Sequence, residues 1–189
     1  MNIGVLALQG DFHEHLSCFN QLHIEATPVK TEVEVNKVDA IVIPGGESTT
    51  ISKLLKSTNL DKLIIKKSSE GMPIWGTCAG LIMISNNLLE GNPEPLGLLN
   101  IKTSRNYYGR QIDSFVEDIK FNSEKNSFEA IFIRAPAILE IGENVQTVAK
   151  TSNNIPVAVR QKNIFGTSFH PELTDDLRIH KYFSEMIDK

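Results

Sequence analysis

The stretch Pro73-Ile74-Trp75-Gly76-Thr77-Cys78-Ala79-Gly80-Leu81-Ile82-Met83-Ile84 constrains this chain more than any other. It reads as a short buried strand, a tight turn and a helix. The turn has the form G-x-C-x-G, the nucleophile-elbow pattern with cysteine in the place of serine. A strand can reverse this sharply into a helix only where residues without Cβ let backbone approach backbone, which is the part Gly76 and Gly80 play. Cys78 then stands at a helix N-terminus, where the positive end of the peptide dipoles favours thiolate over thiol. The N–H of Ala79 points the same way and is a candidate oxyanion donor. A buried structural cysteine between two glycines is the competing reading, since free cysteine is among the most buried residue types. The rest of the chain has to decide between them.

A chain of 189 residues suits one domain, 1–189, with a sizeable core. Its net charge of −4 offers no basic surface for nucleic acid or an anionic membrane. The two cysteines, Cys18 and Cys78, lack the C-x-x-C spacing of a zinc site or redox pair. The apolar run at the N-terminus stops at Asp11 and has neither a basic leader nor a small-residue cleavage site. No apolar run approaches the ~18 residues that span a bilayer. These features lead us to expect a reduced, cytoplasmic setting that keeps a reactive thiol available.

Ile3 to Leu8 is a short apolar run without polar alternation, the pattern of a strand buried on both faces of a parallel sheet. A helix is expected next, with Leu16, Phe19 and Leu22 on one stripe. Ile24 to Val29 and Val38 to Ile43 read as further strands. The second of these ends in Pro44-Gly45-Gly46-Glu47-Ser48-Thr49-Thr50, which opens a helix through Ile51, Leu54 and Leu55. Leu60 to Ser69 is another helix. The first half is therefore β-α repeated, which implies a parallel sheet with helices on both faces. Ligands of such sheets bind beyond the C-terminal strand ends, where loops 44–49 and 76–80 fall. The second half has short β-like runs at Leu98 to Thr103, Ser114 to Phe121, Ala130 to Arg134, Val145 to Lys150, Pro156 to Arg160 and Ile164 to Phe169. They are expected to add strands, partly antiparallel, to the same core. Leu177 to Ile187 closes the chain as an amphipathic helix.

A cysteine nucleophile needs a base, and the base an orienting acid. Ser168-Phe169-His170-Pro171-Glu172 supplies both residue types after a strand-like run. If the chain stays extended, His170 and Glu172 project to one side, and Pro171 keeps His170 out of the helical region. A surface histidine in a turn is the competing reading. His13 and His15 are two apart in a helix and so do not share a face, and no metal-ligand array emerges. The Gly45-Gly46-Glu47-Ser48 loop fits either an anion-binding nest or an ordinary capped turn. It lacks the G-x-x-x-x-G-K-[ST] pattern of a nucleotide loop.

Taken together, the elbow and His170-Pro171-Glu172 resemble class I, or triad, glutamine amidotransferases. Within these the chain is most similar to the glutaminase subunits of pyridoxal 5′-phosphate synthase. The resemblance is carried by Leu8-Gln9-Gly10 with Glu14-His15, Pro44 to Thr50, Leu96-Gly97-Leu98-Leu99, Arg105-Asn106 with Gly109-Arg110-Gln111, Phe132 to Pro136 and Ser168 to Leu173. Trp75 stands where the family often has phenylalanine, and 122–128 matches no family pattern. The resemblance implies a three-layer α/β fold of flavodoxin-like type, with a mixed, mostly parallel central sheet between helices. It implies hydrolysis of L-glutamine to glutamate and ammonia by a Cys78-His170-Glu172 triad, with Gly46 and Ala79 as the oxyanion hole. The family's glutamine contacts map onto Gly46, Glu47, Ser48, Arg105, Ile133 and Arg134, although the sequence alone favours reading Arg105 as a surface arginine. No cofactor or metal is implied. The implied partner is a barrel-shaped synthase subunit that receives the ammonia; neither nucleic acid nor membrane is expected. A glutaminase of another pathway, a non-catalytic module and a peptidase are the alternatives.

Overall fold

The computed structural model describes residues 1–105, 114–122 and 126–187. The first half alternates as the apolar pattern requires: β1 (Asn2–Leu6), α1 (Phe12–Gln21), β2 (Glu25–Val29), α2 (Glu32–Val35), β3 (Ala40–Ile43), α3 (Ser48–Ser57), α4 (Leu60–Ser69), β4 (Ile74–Thr77) and α5 (Ala79–Ile84). Then follow β5 (Ser85–Leu88), β6 (Leu99–Ser104), β7 (Ser114–Phe121), β8 (Phe128–Ile133), β9 (Ala137–Ile141), β10 (Gln146–Lys150), β11 (Pro156–Gln161), β12 (Ile164–Thr167) and α6 (Arg178–Ser184).

Nine strands form one sheet in the order β2-β1-β3-β4-β12-β11-β10-β7-β8. Its first five strands pair in parallel, and from β12 outward the pairing is antiparallel. The expected mixed α/β sheet is thus observed. Period-2 alternation sorts its side chains into two cores. Ile3, Val5, Ala40, Val42 and Trp75 pack with Phe19 of α1 and with Ile179 and Phe183 of α6. Leu6, Ile41, Ile43 and Ile74 pack with Ile51, Leu55, Leu60 and Ile64 of α3 and α4 on the other face.

One expectation is refined and one needs correction. The run from Leu98 to Thr103 joins the same core, as expected, but not through the main sheet. It forms β6 of a separate three-stranded sheet, β5-β6-β9, which seats Leu99, Ile101 and Ile138 on the α3/α4 side. Periodicity marks a strand but not its neighbours, and β5 and β9 carry too few alternating residues to announce themselves. The buried face of α1 is not the Leu16-Phe19-Leu22 stripe either. It is His15, Cys18 and Phe19, with Leu16 packed only partly. A polar residue is buried on that face because it has hydrogen-bond partners there.

Candidate active site

The parallel strands β1, β3, β4 and β12 all end at one edge, and the site is assembled from the loops that leave it. Cys78 follows β4 directly, with φ 48° and ψ −106°. A residue with a Cβ is strained at that positive φ, by roughly 1–3 kcal/mol. Two contacts hold it there. The Cys78 N–H donates to the Thr167 carbonyl of β12 at 2.9 Å, and α5 starts at the next residue. Gly80 lies against the backbone of Ile43, so close that any Cβ at residue 80 would collide with the Ile43 carbonyl oxygen. The elbow is therefore real, and its glycine permits the close approach of backbone to backbone. Helix α5 has only six residues, so its dipole acts over a short distance. Ala79 is its first residue, and its N–H has no acceptor within the helix.

His170 and Glu172 stand where the chain leaves β12. The imidazole Nδ1 lies 2.6 Å from Glu172 Oε1, and both side chains are buried. Cys78 acts on the same ring, both as a hydrogen-bonding group and as a charge. The three sequence-assigned residues are thus joined in one row. The extended-chain reasoning behind the His170–Glu172 pair is not what joins them. Pro171–Leu173 is a single 3₁₀ turn, with Pro171 at its first position. Proline fits there because its fixed φ suits the turn and its missing N–H would have no partner. His170 itself stays outside helical geometry at φ −104° and ψ 86°, as the residue before a proline should. The turn folds Glu172 back beneath the ring.

Burial works against charge on His170, but its hydrogen bonds to Cys78 and Glu172, and the charges of both, lift its pKa to about 10. Burial also pushes the Glu172 carboxyl above its ordinary value, opposed by the hydrogen bond and charge of His170. The Asp11 carboxylate is 3.5 Å from the same Nδ1. Asp11, His170 and Glu172 have donor atoms within 4.8 Å of one another, but a cation held there would displace the proton that His170 shares with Glu172.

The glycine loop after β3 lies beside this row. Any Cβ on Gly45 would collide with His170 Cε1. Gly46 has φ 149°, and the next N–H, of Glu47, donates to Gln9 Oε1 at 2.8 Å. Glu47 is the N-cap of α3: its carboxylate accepts from the N–H groups of Thr49 (3.1 Å) and Thr50 (2.7 Å). Although burial opposes charge, these bonds and that of the Thr50 hydroxyl hold its pKa down at about 2. Ser48 is buried as the first residue of α3. Arg105, just beyond β6, reaches this helix start, with Nη1 donating to Thr49 Oγ1 at 3.2 Å. Its Nε is buried and has no hydrogen-bond partner among the described residues. The Ile133 carbonyl at the end of β8 accepts from Cys78 Sγ at 3.8 Å, and Arg134 follows at φ 45°. Of the sequence-assigned residues, Gly46, Glu47, Arg105 and Arg134 lie in loops, Ser48 and Ala79 open helices, Ile133 ends β8 and Glu172 lies in the 3₁₀ turn. Asn106 and the Gly109-Arg110-Gln111 motif lie outside the described residues.

Sequence reasoning gave no role to Gln9, Asp11, His15 or His180. A usable signal was present for three of them. Gln9 and Asp11 leave β1 at the same sheet edge as the elbow, and His15 is one helical turn beyond Asp11.

The sequence profile of the SNO glutamine amidotransferase family matches residues 5–189. Similar curated proteins include the pyridoxal 5′-phosphate synthase subunit PdxT of Thermosipho africanus, 46% identical over 189 residues that span the whole of both chains. The protein of the same name from Thermotoga maritima is 44% identical over 188 residues, covering 99% of this chain and 100% of that one. A crystal structure of a glutamine amidotransferase superposes with a TM-score of 0.93 at 41% identity, covering 99% of each chain. The structure of PurLQS from Thermotoga maritima shares the fold at 16% identity, with a TM-score of 0.70 and coverage of 99% of this chain and 94% of that one. With its elbow cysteine, buried histidine and carboxylate in one row, the chain belongs to the SNO glutamine amidotransferase family.

Proposed function

We propose that this protein hydrolyses L-glutamine to L-glutamate and ammonia, and that the ammonia serves the synthesis of pyridoxal 5′-phosphate by a partner synthase subunit. The observation that carries this reading is the buried row Cys78–His170–Glu172 on a strained elbow, in a chain of this family. The thiolate of Cys78 attacks the side-chain amide carbon. His170, as imidazolium, gives its proton to the leaving nitrogen, and ammonia departs from a thioester. His170 then takes a proton from water, which attacks the thioester and releases glutamate. Glu172 holds the ring orientation and the positive charge throughout.

The developing oxyanion is assigned to the N–H groups of Ala79 and Gly46, each worth on the order of 3 kcal/mol of barrier. Arg105 is assigned to the α-carboxylate of glutamine, for which a planar guanidinium whose Nε has no partner among the described residues is suited. Backbone groups of Gly46, Glu47, Ser48, Ile133 and Arg134 complete the substrate contacts; the Glu47 carboxylate itself is engaged in capping α3. The partner in this reading is a barrel-shaped enzyme, and the setting is the cytoplasm. The deciding experiment measures glutamate release with and without the synthase, for the natural chain and for Cys78→Ala. Stimulation by the synthase and loss of all activity in Cys78→Ala are expected. A rate unchanged by either would overturn the reading.

A further inference from the structure

Behind the triad lies a second row of buried polar side chains that the mechanism above does not use. His15 of α1 and His180 of α6 are both fully buried. His15 Nδ1 is 2.9 Å from His180 Nε2. On its other side, His15 Nε2 lies 3.2 Å from Thr77 Oγ1 and 3.4 Å from Glu172 Oε2. That oxygen is the one His170 leaves free; it is buried and forms no hydrogen bond among the described residues, with His15 Nε2 standing 3.4 Å away. The rings are clamped in an aromatic box: Trp75 meets both edge-on, at centroid distances of 5.3 Å for His15 and 5.0 Å for His180, and Phe19 meets His180 at 5.0 Å.

Only one arrangement of protons suits this geometry. Two neutral imidazoles 2.9 Å apart share one N–H. If His15 donated it from Nδ1, its bare Nε2 lone pair would face a carboxylate oxygen. His180 would then carry a buried N–H on Nδ1, an atom without a partner among the described residues. A buried N–H left unmade is costly, and so is a lone pair turned on a carboxylate. If His180 donates from Nε2 instead, no lone pair faces the carboxylate, and the unpartnered Nδ1 of His180 is left as a bare acceptor and not as an unmade N–H. His15 Nε2 then carries a hydrogen, given to the Thr77 hydroxyl with Glu172 Oε2 beside it at 3.4 Å, so that a polar hydrogen and not a lone pair adjoins the carboxylate. Burial favours the neutral form of both rings, and in His15 the charges of His180 and His170 add to it.

We infer that His15 is a positioning residue for the glutaminase reaction: its Nε2–H, set in direction by His180, fixes the second oxygen of Glu172 and so keeps that carboxylate ionised and aimed at His170. This rests on the glutaminase reading above. The titratable groups that face the row are His170 and Asp11, Cys78 at the elbow, His180 of α6, and Cys18 of α1, whose thiol donates to the Glu172 carbonyl at 3.8 Å. Burial and the neighbouring charges of Glu172, Glu14 and Asp175 lift the Cys18 thiol to about 11, so it stays uncharged through the working range.

The test compares His15→Phe, which keeps ring bulk and removes the donor, with His15→Gln, whose amide N–H reaches the same place. In His15→Phe, kcat falls about 10-fold with KM unchanged. Glu172 takes up a proton more readily, so the acid limb of the pH–rate profile moves up. His170 loses part of its countercharge, so the alkaline limb moves down. His15→Gln recovers both limbs and most of kcat. A folded His15→Phe with natural limbs, or a His15→Gln as impaired as His15→Phe, overturns the inference. Nitrogen-15 NMR of the natural chain tests it even where His15→Phe fails to fold: both rings must be neutral with hydrogen on Nε2, and hydrogen on Nδ1 of His15 overturns it. If the natural chain releases no glutamate with or without the synthase, the glutaminase reading fails, while the tautomers still decide the proton arrangement on their own.

Discussion

His170 and Glu172 meet at 2.6 Å through a turn, not along a strand. Pro171 starts that turn and brings the carboxylate under the ring, so Glu172 holds the imidazole from a segment only three residues long. This makes the pair rigid, and it places Glu172 where α1 packs against it. The consequence for catalysis is direct. Glu172→Gln keeps the shape and turns a purely accepting group into one that also presents N–H, so the imidazolium loses its partner. We expect kcat to fall by on the order of 10²–10⁴ with little change in KM. Initial-rate kinetics of glutamine hydrolysis check this, and a variant with natural kcat would remove Glu172 from the mechanism.

The strain at Cys78 can be measured apart from its chemistry. Cys78→Ala and Cys78→Gly both remove the thiol and both must be inactive. They differ in what φ 48° costs them, since alanine is strained there and glycine is not. Glycine has the larger entropy to lose on folding, which offsets part of that gain. We expect Cys78→Gly to be the more stable of the two by about 1 kcal/mol, roughly 2–4 °C in melting temperature for a chain of this length. Paired thermal melts decide it. An alanine variant at least as stable as the glycine one would mean that the elbow holds no strain.

Much of the site was legible in the sequence because its parts are local. Gly76 to Gly80 is a contiguous motif with one physical solution, and His170-Pro171-Glu172 carries both residue types within three positions. The parallel half of the sheet was legible for a similar reason: β1, β3 and β4 are short, mostly apolar runs, each followed by a glycine turn. What could not be read is what needs a third dimension. His15 and His180 are 165 positions apart and meet only because α1 and α6 cover the same face of the sheet. Asp11 reaches His170 across a comparable separation. The β5-β6-β9 sheet was missed because a strand of four or five residues gives too few alternations to assign a partner. The reasoning from extended geometry placed Glu172 beside His170 by the wrong route, since a proline after histidine is compatible with a strand and with the first position of a turn.

Arg105 offers a prediction in which binding and chemistry separate. Its Nη1 is tied to Thr49 while Nε, buried, is left without a partner among the described residues, an arrangement that suits a carboxylate arriving between α3 and β6. Lysine keeps the charge but has no planar fork. Arg105→Lys is expected to raise KM for glutamine about 10-fold, equivalent to about 1.4 kcal/mol, with kcat nearly unchanged. The same kinetics with glutaramate, which lacks the α-amino group and keeps the carboxylate, should show an equal loss. A variant whose kcat falls while KM stays put would place Arg105 in the chemical step instead.

The buried histidines also predict how stability depends on pH. Burial holds His180 at about 3 and His15 well below 6.5, with the charges of His180 and His170 adding to the shift in His15. An unfolded histidine titrates near 6.5. Below that pH the unfolded chain binds protons that the folded chain refuses, so stability is lost as pH falls through 6.5 and toward 3. His170 contributes nothing to this slope. Its folded value of about 10 leaves it protonated in both states below 6.5, and its own contribution is lost only as pH rises from 6.5 toward 10. Glu172 acts in the opposite sense, since its raised carboxyl takes up a proton in the folded chain before the unfolded one does. The clean measurement is therefore a difference. Denaturant unfolding of the natural chain and of His180→Phe, each from pH 7 to pH 4.5, should show the natural chain losing about 1.4 kcal/mol more per pH unit once below pH 6. A difference between the two that stays constant across that range would show that His180 is charged in the folded protein and that its row with His15 does not carry the proton arrangement assigned to it.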